Sequence, residues 1–358
     1  MEKNKNNTMA DVLCSVRTRK AKNTFLEQVE TLIDWTPIVK IIEKYYTKVK
    51  SATGRPAYSG LSLIKMSLLQ TWYGMSDYEA EERINDSISF GRFCGFSVEE
   101  TAPDHSTLSR FRSLLTKHNA YDEILNEINR QLEEKQILVR SGAIIDASIV
   151  DSPLKPKTKP GFQIAEDRAE EERDLTEIEK EICEHKYLKV HVPGVDSEAA
   201  WIKKGKKSRY GYKKHVVASS DEGLVLGVLT TPANINEICN LEDVLQKVHL
   251  PEETPFYADK GYMSKKNQNI IDKKNLIDCI MYKAAKNRPL TDKMKELNKL
   301  WGATRYKVER IFGSVKRWFS GGEARYKGIA KTHSQNVLEG IAYNLYRSPG
   351  IVISKAIL

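Results

Sequence analysis

The sequence predicts a mixed α/β protein: a sheet with helices on its faces, preceded by an all-helical region. Three observations predict it. From Phe25 to about Gln136 the apolar residues recur at helical spacing. At Ser141 the character changes to a strand with both faces apolar, "SGAIIDASIVDSP". After the hairpin that follows, short strands alternate with helices.

The elements follow in order. Residues 1–24 are polar and read as a flexible N-terminus. "LSLIKMSLLQTWYGMSDYEAEERINDSISFGRFCGF" reads as an apolar helix, a Gly-Met-Ser-Asp break, and a second helix with acids in its first turn. "TAPDHSTLSRFRSLLTKHN" starts a short helix at Asp104 or Ser106 and carries Arg110, Arg112 and Lys117. A loop leading into such a helix is compatible with a helix-turn-helix, and also with a plain helical hairpin. "RYGYKKHVVASSDEGLVLGVLTTP" reads as a hairpin turning at Asp221-Glu222-Gly223. "NINEICNLEDVLQKV" reads as a helix, "TPFYADKGY" as a strand, "SKKNQNIIDKKN" as a helix and "LIDCIMYKA" as a strand. A long helix runs from about Thr291 through Trp318, and a last one lies near "SQNVLEGIAYNLYR". The predicted division is a helical domain at 25–137, a sheet-containing domain at 138–348 and a C-terminal tail at 349–358. An insertion at about 153–205 separates the first two strands of the sheet. Within it, "AEDRAEEERDLTEIEKEICEHK" reads as a solvated acidic helix.

A chain of 358 residues exceeds one ordinary core, in keeping with more than one domain. No apolar run approaches the roughly 20 residues that span a bilayer. The polar start lacks a signal core. Five scattered cysteines form no C-x-x-C pair and no disulfide framework, which is cytosolic usage. The net charge of +9 fits a polyanion partner, although a Lys-rich composition alone could supply it.

Three carboxylates stand out by position. Asp146 lies in the middle of "AIIDASIV", where an unpaired carboxylate costs several kcal/mol, so a basic neighbour or a divalent cation must compensate it. Asp259 ends the strand "PFYAD", at the strand end where α/β sheets place ligands; alone it would be an ordinary turn aspartate. Glu309 is the one acid between Arg305 and Arg317, a stretch with five bases. On a helical wheel Arg305 lies about −40° and Lys316 about −20° from Glu309, bordering the face of Trp301, Val308, Phe312, Val315 and Phe319. The plainer reading of that pair is an i,i+4 Arg–Glu contact. The conjunction of the three is the more specific signal.

"AIIDASIV", "RYGYKKH", "ADKGY" and "RYKVERIFGSVKRW" resemble the DDE transposases of bacterial insertion sequences, specifically the insertion-sequence-five family. The helical leader and the end "RYKGIAKTHSQNVLEGIAYNLYR" are similar to that family's as well, so the resemblance runs from about residue 25 to 348. It implies a ribonuclease H-like catalytic domain in which Asp146, Asp259 and Glu309 are the catalytic, metal-binding triad. It implies two Mg²⁺ ions, with Mn²⁺ as a substitute, and DNA as the partner, both element ends and target. A homodimer is the expected active complex. The expected location is the bacterial cytoplasm, on the nucleoid when bound. Arg305 and Lys316 match the family's spacing around the Glu, whereas Gly302 stands where the family has Tyr.

On this reading Asp146 bridges both ions, Asp259 and Glu309 each hold one, and Arg305 and Lys316 clamp phosphates. Further candidate DNA contacts are Lys203, Lys204, Lys206, Lys207, Arg209 and Lys213, as a phosphate track or a merely solvated loop, with Arg110 and Arg112 in the leader. Trp201 is a candidate for base stacking or for a core anchor. His215 reads as a satisfied strand histidine. Cys183, His185 and His191 lack an evident fourth zinc ligand. The expected function is binding of terminal inverted repeats followed by metal-dependent cleavage and strand transfer. The alternatives are a structure-specific nuclease on the same fold and a former transposase kept as a DNA-binding regulator.

Overall fold

The computed structural model describes residues 25–46, 57–157, 162–164, 187–189, 194–284 and 289–357. The expected flexible N-terminus, the acidic helix, and Cys183, His185 and His191 lie outside the described residues.

Among the described residues seven helices come first: α1 (Phe25–Leu32), α2 (Trp35–Tyr45), α3 (Gly60–Trp72), α4 (Asp77–Asp86), α5 (Ile88–Cys94), α6 (His105–Lys117) and α7 (Ala120–Glu134). Their starts are set by side chains that satisfy the free amides of the first turn. Asp34 accepts from Thr36 N, and Asp104 accepts from Thr107 N. Ser76 and Glu79 form a reciprocal capping box after Gly74, whose φ of +63° ends α3 in the left-handed region. The predicted second helix divides in two at Ser87, which closes α4 and caps α5 by accepting from Phe90 N.

The sheet is built from β1 (Ala143–Asp151), β4 (Ala200–Lys204), β5 (Lys207–Ser219), β6 (Val225–Pro232), β7 (Pro255–Ala258) and β8 (Ile277–Ile280). Between β1 and β4 a two-stranded ribbon joins β2 (Phe162–Ile164) and β3 (Tyr187–Lys189). Along the main sheet β6, β5 and β1 are antiparallel, while β7 and β8 run parallel to β1. Three antiparallel strands followed by two parallel ones is the ribonuclease H-like order. The thirteen-residue β5 is long enough for two partners on one edge: β4 pairs with its first part and β6 with the rest. Gly223, at φ +67°, allows the tight return into β6.

Four more helices follow among the described residues: α8 (Leu241–Gln246), α9 (Lys265–Lys273), α10 (Asp292–Trp318) and α11 (Ile329–Ile357). The start of α10 is capped by Thr291, which accepts from Met294 N. Two expectations change here. The last helix runs through Pro349 to Ile357, so residues 349–357 are helical and not a tail. The segment "NINEICNLEDVLQKV" is not one helix. A 3-10 turn at Glu237–Cys239 precedes α8, because Asn236 accepts from Ile238 N while the Asn240 amide turns inward to His215 and Asn236 O.

The helical region and the sheet share one buried cluster, joined largely through α11. Trp72 donates to Ala342 O at 2.9 Å. Asn344 accepts from Val225 N and donates to Asn129 Oδ1, and Asn129 donates to Val225 O. These amides are buried and satisfied, so one network ties α7, β6 and α11.

Candidate active site

Asp146 sits on β1 opposite Val216 of β5. On its other side β1 pairs with β7 only at Ala143–Ile145. Ile145 stands beside Ala258, so Asp259, the next residue after β7, emerges level with Asp146 where the pairing stops. Asp259 opens a 3-10 turn (Lys260–Tyr262) but its side chain does not cap it. Glu309 comes from α10, which buries Trp301, Val308, Ile311 and Val315 against the protein. The predicted apolar stripe is thus present, with Ile311 deeper than Phe312.

Arg305 joins two of the three acids. Its Nη1 donates to Asp146 Oδ2 at 2.7 Å and its Nη2 to Glu309 Oε1 at 2.9 Å. The other Asp146 oxygen accepts from Ala147 N at 2.8 Å. The Asp146 side chain is 17% exposed and that of Glu309 60%, so one acid is held inside and the other reaches out. Burial pushes the Asp146 carboxyl up to about 6, against the pull of Arg305 and the Ala147 amide and with Glu237 and Asp259 adding to the rise.

Glu237 is the acid that sequence reasoning missed. Its carboxylate and that of Asp259 converge on Gly261: an ideal Cβ there would lie 3.3 Å from Glu237 Oε2 and 4.0 Å from Asp259 Oδ2. Beneath these acids Tyr262 is fully buried, its hydroxyl 3.4 Å from His215 Nδ1. Burial, then the charges of Glu237, Asp146 and Asp259, raise the Tyr262 hydroxyl well above its ordinary value. His215 is a satisfied buried histidine, touching Tyr262, Thr231 and Asn240, and burial with nearby Lys213 pulls it down to about 3.

The family described as "Transposase DDE domain" matches residues 139–345, and a second, "Transposase domain (DUF772)", matches residues 15–114. The chain belongs to the DDE transposase family. A remote likeness exists to a solved structure titled as a piggyBac transposase synaptic complex with hairpin DNA. It is 9% identical with a TM-score of 0.44, covering 95% of this chain and 78% of that one. The protein is a DNA transposase, and DDE transposases generally use divalent metal ions. None of the described helices is long and apolar enough to cross a membrane.

The transposase's basic residues divide into two groups. Lys203, Lys204, Lys206 and Lys207 are exposed on the β4–β5 hairpin, whose turn is allowed by Gly205 at φ +62°. Arg209, half-buried, is paired with Asp151 at 2.8 Å. Lys316 is exposed on α10, and partial desolvation together with Arg209, Lys214 and Lys204 lowers its pKa, Asp151 opposing. Lys316, Arg209 and Lys204 thus share one region around Asp151, at the far end of β1 from its β7 pairing. Arg110 is exposed in the leader, donating to Ser106 Oγ.

Two expected DNA contacts are corrected. Arg112 is buried and held by both oxygens of Asp77, because it lies on the inner face of α6 with Leu108, Phe111 and Leu115. Lys213 is buried too, its ammonium donating to Ile235 O at 2.7 Å and lying 3.5 Å from Glu237. It faces the opposite side of β5 from Lys214, which is buried against Glu339 of α11. Trp201 is not a core anchor: it is 48% exposed, with its ring against Tyr210. At Gly302 a Cβ would meet only Met281 Cε at 4.0 Å, so the absent family Tyr leaves space there.

Proposed function

We propose that the transposase binds the terminal inverted repeats of its element, cleaves there and joins the 3′ ends to target DNA, with Asp146, Asp259 and Glu309 as the metal-holding triad. The observation that carries this is the convergence of β1, the end of β7 and α10 on one spot, seen in the Arg305 bridge between Asp146 and Glu309. Among the described residues, no group of three or more His, Cys, Asp or Glu side chains is closed into a metal-ligating set. The donors nevertheless fit a hard divalent cation. They are carboxylate oxygens, and Asp146 is mostly buried beside a strand-end acid, the hard-oxygen setting such a cation takes.

Asp146, Asp259 and Glu309 would hold Mg²⁺ or Mn²⁺, with Asp146 as the mostly buried central carboxylate. When bound, such ions activate the attacking water or 3′-hydroxyl and stabilise the leaving oxygen of an in-line displacement. Lys316 and the hairpin lysines hold DNA phosphates beside the acids, and Arg305 turns to phosphate when released from Asp146. The β4–β5 hairpin supplies the phosphate track, with Trp201 exposed on the same strand. Residues 25–137 form the part that reads the element ends, through the exposed side of α6, and 138–348 the catalytic part. The working complex is a homodimer.

Strand joining with pre-cut element ends and Mg²⁺ tests this. Joined products that disappear in Asp146→Ala, Asp259→Ala and Glu309→Ala are expected. Cleavage without any joining would favour a structure-specific nuclease.

A further inference from the structure

We infer that Glu237 is a fourth carboxylate of the metal site, holding divalent cation together with Asp146 and Asp259, with Lys213 as its counter-ion while no cation is bound. The inference rests on the triad reading above and extends it to a residue outside the three DDE positions.

The chain path is what brings Glu237 to the site. After β6 the backbone does not enter a helix at once. Asn236 caps a single 3-10 turn, and that turn packs on the turn that follows Asp259. Gly261, in the middle of the second turn, lies at the contact, with both carboxylates within 4.0 Å of an ideal Cβ there. Any side chain there would crowd the Glu237 oxygen at 3.3 Å, so glycine keeps the gap between the two acids open. β7 leaves β1 uncovered beyond Ile145, so no strand stands between this turn and Asp146.

On structural grounds Glu237 has one charged partner among the described residues, the buried Lys213. It caps nothing; Asn236 does that. Its ion pair with Lys213 is long, at 3.5 Å, and Lys213 already donates to Ile235 O at 2.7 Å. Bringing a third carboxylate up to two others raises the energy of the cation-free protein. A bound cation reverses the sign of that interaction, and a Lys that is satisfied by a backbone carbonyl can release the carboxylate without being orphaned. Arg305 plays the matching part on the other side, neutralising Asp146 and Glu309.

The test is Mn²⁺ binding to the full-length protein without DNA, by calorimetry and by the shift in melting temperature that Mn²⁺ causes. Asp146→Asn, Glu237→Gln, Glu237→Asp and, as a control on the exposed start of α8, Glu242→Gln are compared. The expected result is a Kd raised about tenfold or more in Glu237→Gln, an intermediate value in Glu237→Asp, and no change in Glu242→Gln. Loss of binding in Asp146→Asn but parental affinity in Glu237→Gln would overturn the Glu237 assignment and leave the triad standing. Parental affinity in both would overturn the metal-site reading itself.

Discussion

Arg305 Nη1 lies 2.7 Å from Asp146 Oδ2, so the carboxylate at the centre of the sheet is neutralised by a helix more than 150 residues further along the chain. The same guanidinium reaches Glu309, one turn away on its own helix. A cation bound by these acids must compete with Arg305 for them.

Arg305→Ala should therefore bind Mn²⁺ at least as tightly as the parent while cleaving more slowly, since a phosphate contact is lost and a competitor removed. Lys316→Ala should also cleave more slowly, but with unchanged metal affinity, because its ammonium has no tie to the acids. Single-turnover cleavage against Mn²⁺ concentration separates the two. Weaker metal binding in Arg305→Ala would mean that the arginine organises the site rather than competing for it.

Asp146 also leaves a trace in the pH dependence of stability. Its folded value is about 6, raised first by burial, against an ordinary value near 3.9. The folded protein thus holds this proton better than the unfolded chain. The contribution of Asp146 to stability falls as pH rises from about 4 to about 6, then levels. In EDTA, Asp146→Asn should gain on the parent across that window by up to about 3 kcal/mol. Urea unfolding at several pH values reads this directly; a difference independent of pH would mean the carboxyl is not strained by its burial.

The exposed hairpin lysines and buried Arg112 should separate charge that binds DNA from charge that holds the fold. Replacing Lys203, Lys204, Lys206 and Lys207 with Ala should reduce the log–log salt slope of DNA binding by up to about 3.6, at about 0.9 for each phosphate released. Melting should change little. Arg112→Ala should instead destabilise by about 3 kcal/mol by stranding Asp77. Arg110→Ala, at an exposed site, should not destabilise. Thermal melts and filter binding at four salt concentrations check all three.

A fragment beginning at Leu138 should not fold well alone. It would uncover α11 where Trp72 and α7 pack, and would leave the Asn344 amide without its Asn129 partner. Aggregation, or dye binding typical of exposed apolar surface, is the expected outcome. A monomeric fragment with a cooperative melt would show that the shared core divides cleanly.

Local physics made much of this protein legible from its sequence. Helical periodicity, the Gly-Met-Ser-Asp break, the start of the long helix at about Thr291 and the Gly223 turn act over a few residues and can be read where they are written. The three acids stood out because a carboxylate in an apolar strand, one at a strand end and one in a basic helix each violate their local pattern. What needed the tertiary structure was which face of an element is covered, and by what. Arg112 and Lys213 read as surface bases, yet packing turned both inward, where Asp77 pairs with the first and Ile235 O together with Glu237 satisfies the second. Glu237 read as one more residue of a helix until the Asn240 amide was committed to buried His215, which ends the turn there. Burial is decided by partners far away in the chain, so no window of sequence around these residues contains it.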